Sequence, residues 1–330
     1  MRTVSLAIGW ALAACLCAGD RPMIPRDTLP ANLPTQETPL GLGDVPKLSD
    51  RDRLAARIEL GRRLFFDPIL SADRSIACAS CHDPEHGFAS AAGRPKGLRG
   101  QTLRRRAPTL FNRALSRSFF WDGRAATLEE QALQPIADPD EMGSSVEEAV
   151  RRLQDHGEYR AKFVAAFADG VTAANLAAAI ANFERALLRG DSRIDRFRRN
   201  GDHAALSAEE RHGLWLYESK AQCWRCHSGP NFSDESFRNT GVGWGRQPLD
   251  LGRYEVTRVE SDRGRFKTPT LRGVALTAPY MHDGSIATLE EVVRFYSHGG
   301  GDNPNRDPAI VPLNLSDEEI RALVAFLKAL

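Results

Sequence analysis

Cys78-Ala79-Ser80-Cys81-His82 and Cys223-Trp224-Arg225-Cys226-His227 decide how this chain is read. Two thiols one helical turn apart can each add to a vinyl group of a porphyrin, and the adjoining imidazole can reach the iron. C-x-x-C-H is therefore the attachment signature of a c-type haem. One such pentapeptide also fits a thioredoxin-like dithiol or half of a zinc site. Two of them, in a chain with only six cysteines, argue for two covalently bound c-type haems.

Composition sets the outer limits. The 330 residues suggest two domains, and 44 basic against 43 acidic side chains leave a formal charge of +1, which points to no nucleic acid and no membrane surface. After the N-terminus no apolar run is long enough to span a bilayer. Residues 1–19, with Met1-Arg2-Thr3 before the apolar run Val4 to Ala14, read as a signal peptide or lipoprotein leader, which implies export to the periplasm. Leu12-Ala13-Ala14-Cys15 fits a lipobox, with a lipid anchor on Cys15; the competing reading is cleavage near Ala18 and a soluble product. Cys15 and Cys17 belong to the leader and the other four cysteines to the haem motifs, so none is left to form a disulfide.

Residues 20–48 are proline-rich and read as an extended tether or a surface-wrapping arm. A helix is predicted from Asp50 to Phe66, with Leu54, Ile58, Leu60 and Leu64 on its apolar face and Asp67-Pro68 ending it. Helical patterns dominate from Ser144 to Phe197, and Asn200-Gly201-Asp202 breaks them. The domains are accordingly 49–200 and 201–330. Ser207 and Ser316 open capping boxes for the helix before the second haem motif and for the last helix. A short hairpin is expected at Tyr254–Phe266.

An internal repeat carries the most information. Phe120-Trp121-Asp122-Gly123 through Leu128-Glu129-Glu130 matches Met281-His282-Asp283-Gly284 through Leu289-Glu290-Glu291, 161 residues later, aligning Trp121 with His282. Pro108-Thr109-Leu110 matches Pro269-Thr270-Leu271 at the same offset, whereas the two haem histidines are only 145 apart, so the second copy carries an insertion. The fold expected is all-α for the most part: two cytochrome c-like helical domains, one haem each, with little β structure.

The copies differ where a second iron ligand would stand. Thr127/Glu130 and Thr288/Glu291 start equivalent helices. The face i, i+3, i+4, i+7 is Leu128, Gln131, Ala132 and Pro135 in one, and Leu289, Val292, Val293 and Tyr296 in the other. If this face looks onto the far side of each haem, the first iron meets a proline ring that cannot bind metal. The second meets a phenol oxygen. His82 and His227 would be the proximal ligands, Tyr296 the distal one at the second iron, with His298 and Met281 as rivals. No His or Met lies between His86 and Met142, so a capping ligand for the first iron is not expected from that loop, and His86 reads as a surface or propionate-contacting residue. An open ferric haem becomes a peroxidase when a base moves the proton of hydrogen peroxide to the leaving oxygen. Gln131 could orient peroxide. Glu141 could carry the proton or merely cap a turn, and Trp121 could relay electrons or merely fill a core. Arg104-Arg105-Arg106 reads as a solvated face, or as cations for propionates or a docking partner.

These residues, with Leu64-Phe65-Phe66-Asp67-Pro68, Glu141-Met142 and Ala278-Pro279-Tyr280-Met281-His282, resemble the bacterial di-haem cytochrome c peroxidases and their MauG-type relatives from about Leu60 to Leu330. The resemblance implies a peroxidatic haem at His82, an electron-transfer haem at His227, Gln131 and Glu141 in the peroxide pocket, and Trp121 between the haems. Tyrosine at 296 with proline at 135 looks like MauG, which uses peroxide to oxidise residues of a partner protein; methionine stands there in the classical peroxidases. The readings are thus a peroxidase fed by a small cytochrome c or cupredoxin, a MauG-like enzyme with a partner protein substrate, and a non-enzymatic di-haem carrier. The family's interdomain calcium is doubtful, since Arg106 occupies the asparagine position and a cation repels calcium.

Overall fold

A computed structural model describes residues 38–46, 51–199 and 201–330. The leader, Cys15 and most of the proline-rich stretch lie outside the described residues.

Ten α-helices are found among the described residues: α1 (Arg51–Phe66), α2 (Leu128–Ala137), α3 (Val146–Asp155), α4 (Gly157–Ala166), α5 (Ala173–Ala186), α6 (Arg193–Arg199), α7 (Ala208–Glu218), α8 (Tyr254–Thr257), α9 (Leu289–Ser297) and α10 (Asp317–Leu327). Side-chain oxygens start most of them. Thr127, Ser145, Thr172, Ser207, Thr288 and Ser316 each accept from the backbone N–H three residues on. Such caps satisfy donors that a helix start otherwise leaves bare. The reciprocal box forms at Ser207/Glu210, Thr288/Glu291 and Ser316/Glu319. In α2 the Glu130 carboxylate accepts from Ala126 N instead of its cap.

The two halves repeat one packing scheme. In the first, α1 crosses α5, and a Cβ on Gly61 would lie 1.9 Å from the Ala179 carbonyl oxygen. In the second, α7 crosses α10, and a Cβ on Gly213 would lie 2.0 Å from that of Ala322. Backbone contact this close admits only glycine. Around the first crossing Leu60, Leu64, Ile136, Leu153, Phe163, Leu176 and Ile180 form a core; around the second, Leu214, Leu216, Tyr217, Val293, Ile320, Leu323 and Phe326 form another. Ile194 of α6 packs into the second core.

The expected hairpin at Tyr254–Phe266 does not form. Residues 254–257 make a helical turn, and Gly252 and Gly264, both at positive φ, close the segment between them into a loop. Phe266-Lys267 instead pairs antiparallel with Phe237-Arg238, matching Phe237 to Lys267. Within 38–46 the chain lies on the body: Leu42 is buried, and Arg272 Nη2 donates to Gly41 O at 3.1 Å while its guanidinium forks onto Asp195.

Candidate functional site

Each haem motif folds as a tight turn that aims its histidine. Cys78–Ser80 and Cys223–Arg225 are single 3₁₀ turns, and the amides of His82 and His227 both donate to the carbonyl of the leading cysteine at 2.9 Å. The chain then turns back through a left-handed phenylalanine, Phe88 (φ 55°) or Phe232 (φ 49°). The carbonyl of that phenylalanine takes the histidine Nδ1, at 3.0 Å from His82 and 3.2 Å from His227. A donating Nδ1–H leaves Nε2 with its lone pair free for a metal. Burial lowers the pKa of both imidazoles and so favours the neutral, ligating form.

The thiols have the opposite requirement. Burial pushes Cys78, Cys81 and Cys223 up to about 12, and all four motif cysteines are free. Thiols held protonated do not suit a redox dithiol, whose nucleophile needs a lowered pKa. Unpaired thiols beside a neutral imidazole fit covalent attachment of a porphyrin. No group of three or more His, Cys, Asp or Glu among the described residues is arranged to hold a metal ion unaided.

A cavity of about 1120 Å³ opens beside the first motif. Its wall brings together Cys78, Cys81, His82, Trp121, Gln131, Pro135 and Glu141. The volume slightly exceeds the usual 300–1,000 Å³ of small-molecule pockets. Pro135 sits inside α2, where the lost N–H costs about 3 kcal/mol. Gln131 Oε1 is buried in the wall with no hydrogen-bond partner. Glu141 is pushed up to about 7, first by burial and then by Asp138; Arg124 pulls it back. Its turn is clamped to the loop that follows the first haem motif, with Leu98 N donating to Glu141 O at 3.0 Å. Met142 also lines the wall and packs into the core of the first half. The insertion of the second copy reaches over as well, contributing Gly243, Arg246, Pro248 and Asp250 to the wall.

Tyr296 lies on α9, half-buried, with Cys223 and Cys226 close enough to act on its phenol; burial first, and then those sulfurs, raise its pKa. Its rivals differ: His298 is exposed at the end of α9, and Met281 packs against the second core. His86 is a surface residue paired with Asp83 at 3.0 Å.

Trp121 spans the halves. Its Nε1 donates to Arg106 O at 2.9 Å, and its ring meets His282 edge-on with centroids 6.4 Å apart. The arginine run divides. Arg104 is exposed and Arg105 half-buried, both answered by Asp250 and Glu255, and Arg105 also by Asp122; Arg106 is buried with no acidic partner within 4 Å among the described residues. The solvated-face reading therefore fails for Arg106. Arg106 is near enough to His82 for its charge to help lower the imidazole's pKa. Sequence reasoning missed Lys267 and Glu184, both buried in the wall; burial raises Glu184 to about 8.

Residues 55–204 match the profile described as di-haem cytochrome c peroxidase, and residues 213–330 that described as cytochrome c. A methylamine utilization protein MauG from Methylorubrum extorquens is 40% identical over 276 residues, covering 83% of this chain and 78% of that one. The cytochrome c551 peroxidase of Nitrosomonas europaea is 38% identical over 275 residues, covering 82% and 79%. The crystal structure of a MauG-like protein associated with microbial copper homeostasis superposes with a TM-score of 0.78 at 33% identity, covering 92% of this chain and 95% of that one.

Proposed function

The chain belongs to the di-haem cytochrome c peroxidase family, an oxidoreductase acting on peroxide with two covalently bound c-type haems, and from that premise we propose a division of labour between its halves. His82 would hold the haem at which hydrogen peroxide is handled, and His227 with Tyr296 would hold the haem that supplies it with electrons. When bound, the first haem supplies the iron at which the O–O bond is cleaved. The rest falls to side chains of this chain.

The Gln131 amide, with Oε1 otherwise unpartnered, accepts a hydrogen bond from peroxide and orients it. The Glu141 carboxylate takes the peroxide proton and returns it to the distal oxygen, which leaves as water. With two electrons and two protons supplied, each peroxide yields two waters. A base with a pKa near 7 is well matched to such a shuttle at neutral pH. Pro135 carries no side-chain atom that could bind iron, so its part of the wall would leave room for peroxide beside a haem held by His82. One observation carries the reading: Gln131, Pro135 and Glu141 share a single cavity with Cys78, Cys81 and His82.

A second reading rests on Tyr296. A phenolate stabilises the ferric state and lowers the potential of its haem. Such a store suits oxidation of aromatic residues on a partner protein, as in the MauG-like reading, better than ready reduction by a small cytochrome c or cupredoxin. Export to the periplasm, with Cys15 lipidated or the leader cleaved near Ala18, rests on the leader sequence and is tested by the mass of the secreted protein. Stoichiometric peroxide titration of the ferric protein, followed optically, tests the function. Steady turnover with reduced cytochrome c selects the peroxidase. A long-lived near-infrared band with little turnover selects the MauG-like enzyme, and no reaction with peroxide removes both.

A further inference from the structure

The contact between the repeats holds two buried cations that the chemistry above leaves unused. Arg106 and Lys267 each stand two residues before the Pro-Thr-Leu of their copy, 161 residues apart. Their backbones exchange a matched pair of hydrogen bonds with the other copy. Arg106 N donates to His282 O at 2.9 Å, and Lys267 N donates to Trp121 O at 2.7 Å. Both side chains are buried, at 5% and 6% exposure, and both line the cavity that holds Cys78, Cys81 and His82.

Arg106 has no carboxylate within 4 Å among the described residues, and Lys267 has only a long ion pair with Glu235. Arg106 Nη2 reaches only the Ser90 carbonyl, at 3.3 Å, and Nε has no partner. Lys267 Nζ donates to the Ser118 carbonyl and stands 3.8 Å from Glu235. The Glu235 carboxylate is already engaged by Ser116 Oγ at 2.7 Å and Arg117 N at 2.8 Å. Burial lowers Arg106 to about 10 and Lys267 to about 8, as expected for cations short of counter-charge. Buried charge without a partner is strongly destabilising, so the site calls for anions. A haem attached at Cys78 and Cys81 brings two propionate carboxylates into this cavity.

We propose that Arg106 and Lys267 bind the two propionates of the haem attached at Cys78 and Cys81, Arg106 from that haem's own repeat and Lys267 from the other. The second repeat thereby helps set the potential of the first haem, because a fixed cation beside a haem favours its reduced state. The test rests on assigning the high-spin haem to His82. That assignment fails separately, if the ferric protein shows no high-spin component before any variant is compared.

The experiment uses the full-length holoprotein with Arg106→Gln, Lys267→Gln and Arg106→Lys. It reads haem midpoints by optical spectroelectrochemistry, propionate bending bands by resonance Raman, and Tm. We expect Arg106→Gln and Lys267→Gln each to lower the midpoint of the high-spin haem and shift its propionate bands, with the low-spin midpoint held. Arg106→Lys restores most of the midpoint. If Arg106→Gln does not fold, Lys267→Gln alone decides. Unchanged midpoints and bands overturn the proposal. So does a fall in Tm with both haems shifted alike and the propionate bands unmoved, which marks a packing role.

Discussion

Trp121 and His282 occupy the same position in the two copies of the repeat, and their rings touch, with centroids 6.4 Å apart and planes at 69°. The point where each copy meets the other is thus one and the same sequence position. His282 continues the contact by stacking on Phe266 with centroids 3.6 Å apart. A run of aromatic rings, with His282 buried and Trp121 and Phe266 half-buried, thus crosses between the halves.

Replacing Trp121 by phenylalanine removes the indole and its hydrogen bond to Arg106 O while keeping an aromatic ring. We expect the first encounter with peroxide to proceed at its normal rate in stopped-flow, and electron exchange between the halves to slow. If exchange is unchanged, Trp121 is a packing residue alone.

In the proposed function Glu141 acts as a base, so its carboxylate form is the active one. With a folded pKa of about 7, the rate of reaction with peroxide should rise as pH passes upward through 7 and level off above it. Glu141→Gln should cost about 10²- to 10⁴-fold, the usual worth of a positioned general base, and should flatten the profile. Gln131→Leu should cost about tenfold, the value of one lost hydrogen bond, with the pH profile kept. Stopped-flow rates from pH 5 to 9 check both.

In the proposed function Tyr296→Met exchanges a phenolate donor for a thioether. The midpoint potential of the low-spin haem should rise and that of the high-spin haem should stay. Spectroelectrochemistry reads both in one experiment, and an unmoved low-spin potential would show that Tyr296 is not a ligand.

Gly213→Val drives a side chain into the Ala322 backbone where α7 crosses α10. Overpacking costs about 1–3 kcal/mol, and contact with rigid backbone puts this site at the upper end. Denaturant unfolding should show the loss, and Gly201→Ala, where a Cβ meets nothing within 4 Å, is the matched control, costing only the strain of its positive φ.

The sequence showed where residues would gather when each could be read against its counterpart in the other copy. Pro135, in the cavity wall beside the first haem motif, and Tyr296, near Cys223 and Cys226 of the second, are such a pair. The helix starts were legible because a cap needs only one side chain and a donor three residues on. Other features depend on partners far along the chain. Phe266 pairs with Arg238, not within its own loop, and periodicity cannot register a partner 28 residues upstream. Gly61 and Gly213 look like weak points of a helix until α5 and α10 cross them. Arg104, Arg105 and Arg106 look alike as a run, and only the placement of Asp122, Asp250 and Glu255 separates two satisfied cations from one that lacks an anion.

The unequal coordination of the two irons is the claim on which the rest depends. Low-temperature electron paramagnetic resonance of the ferric holoprotein, before and after cyanide, tests it most directly. The account predicts one high-spin and one low-spin signal, with cyanide converting only the high-spin haem. Two low-spin signals before cyanide, or cyanide bound at both irons, would contradict it.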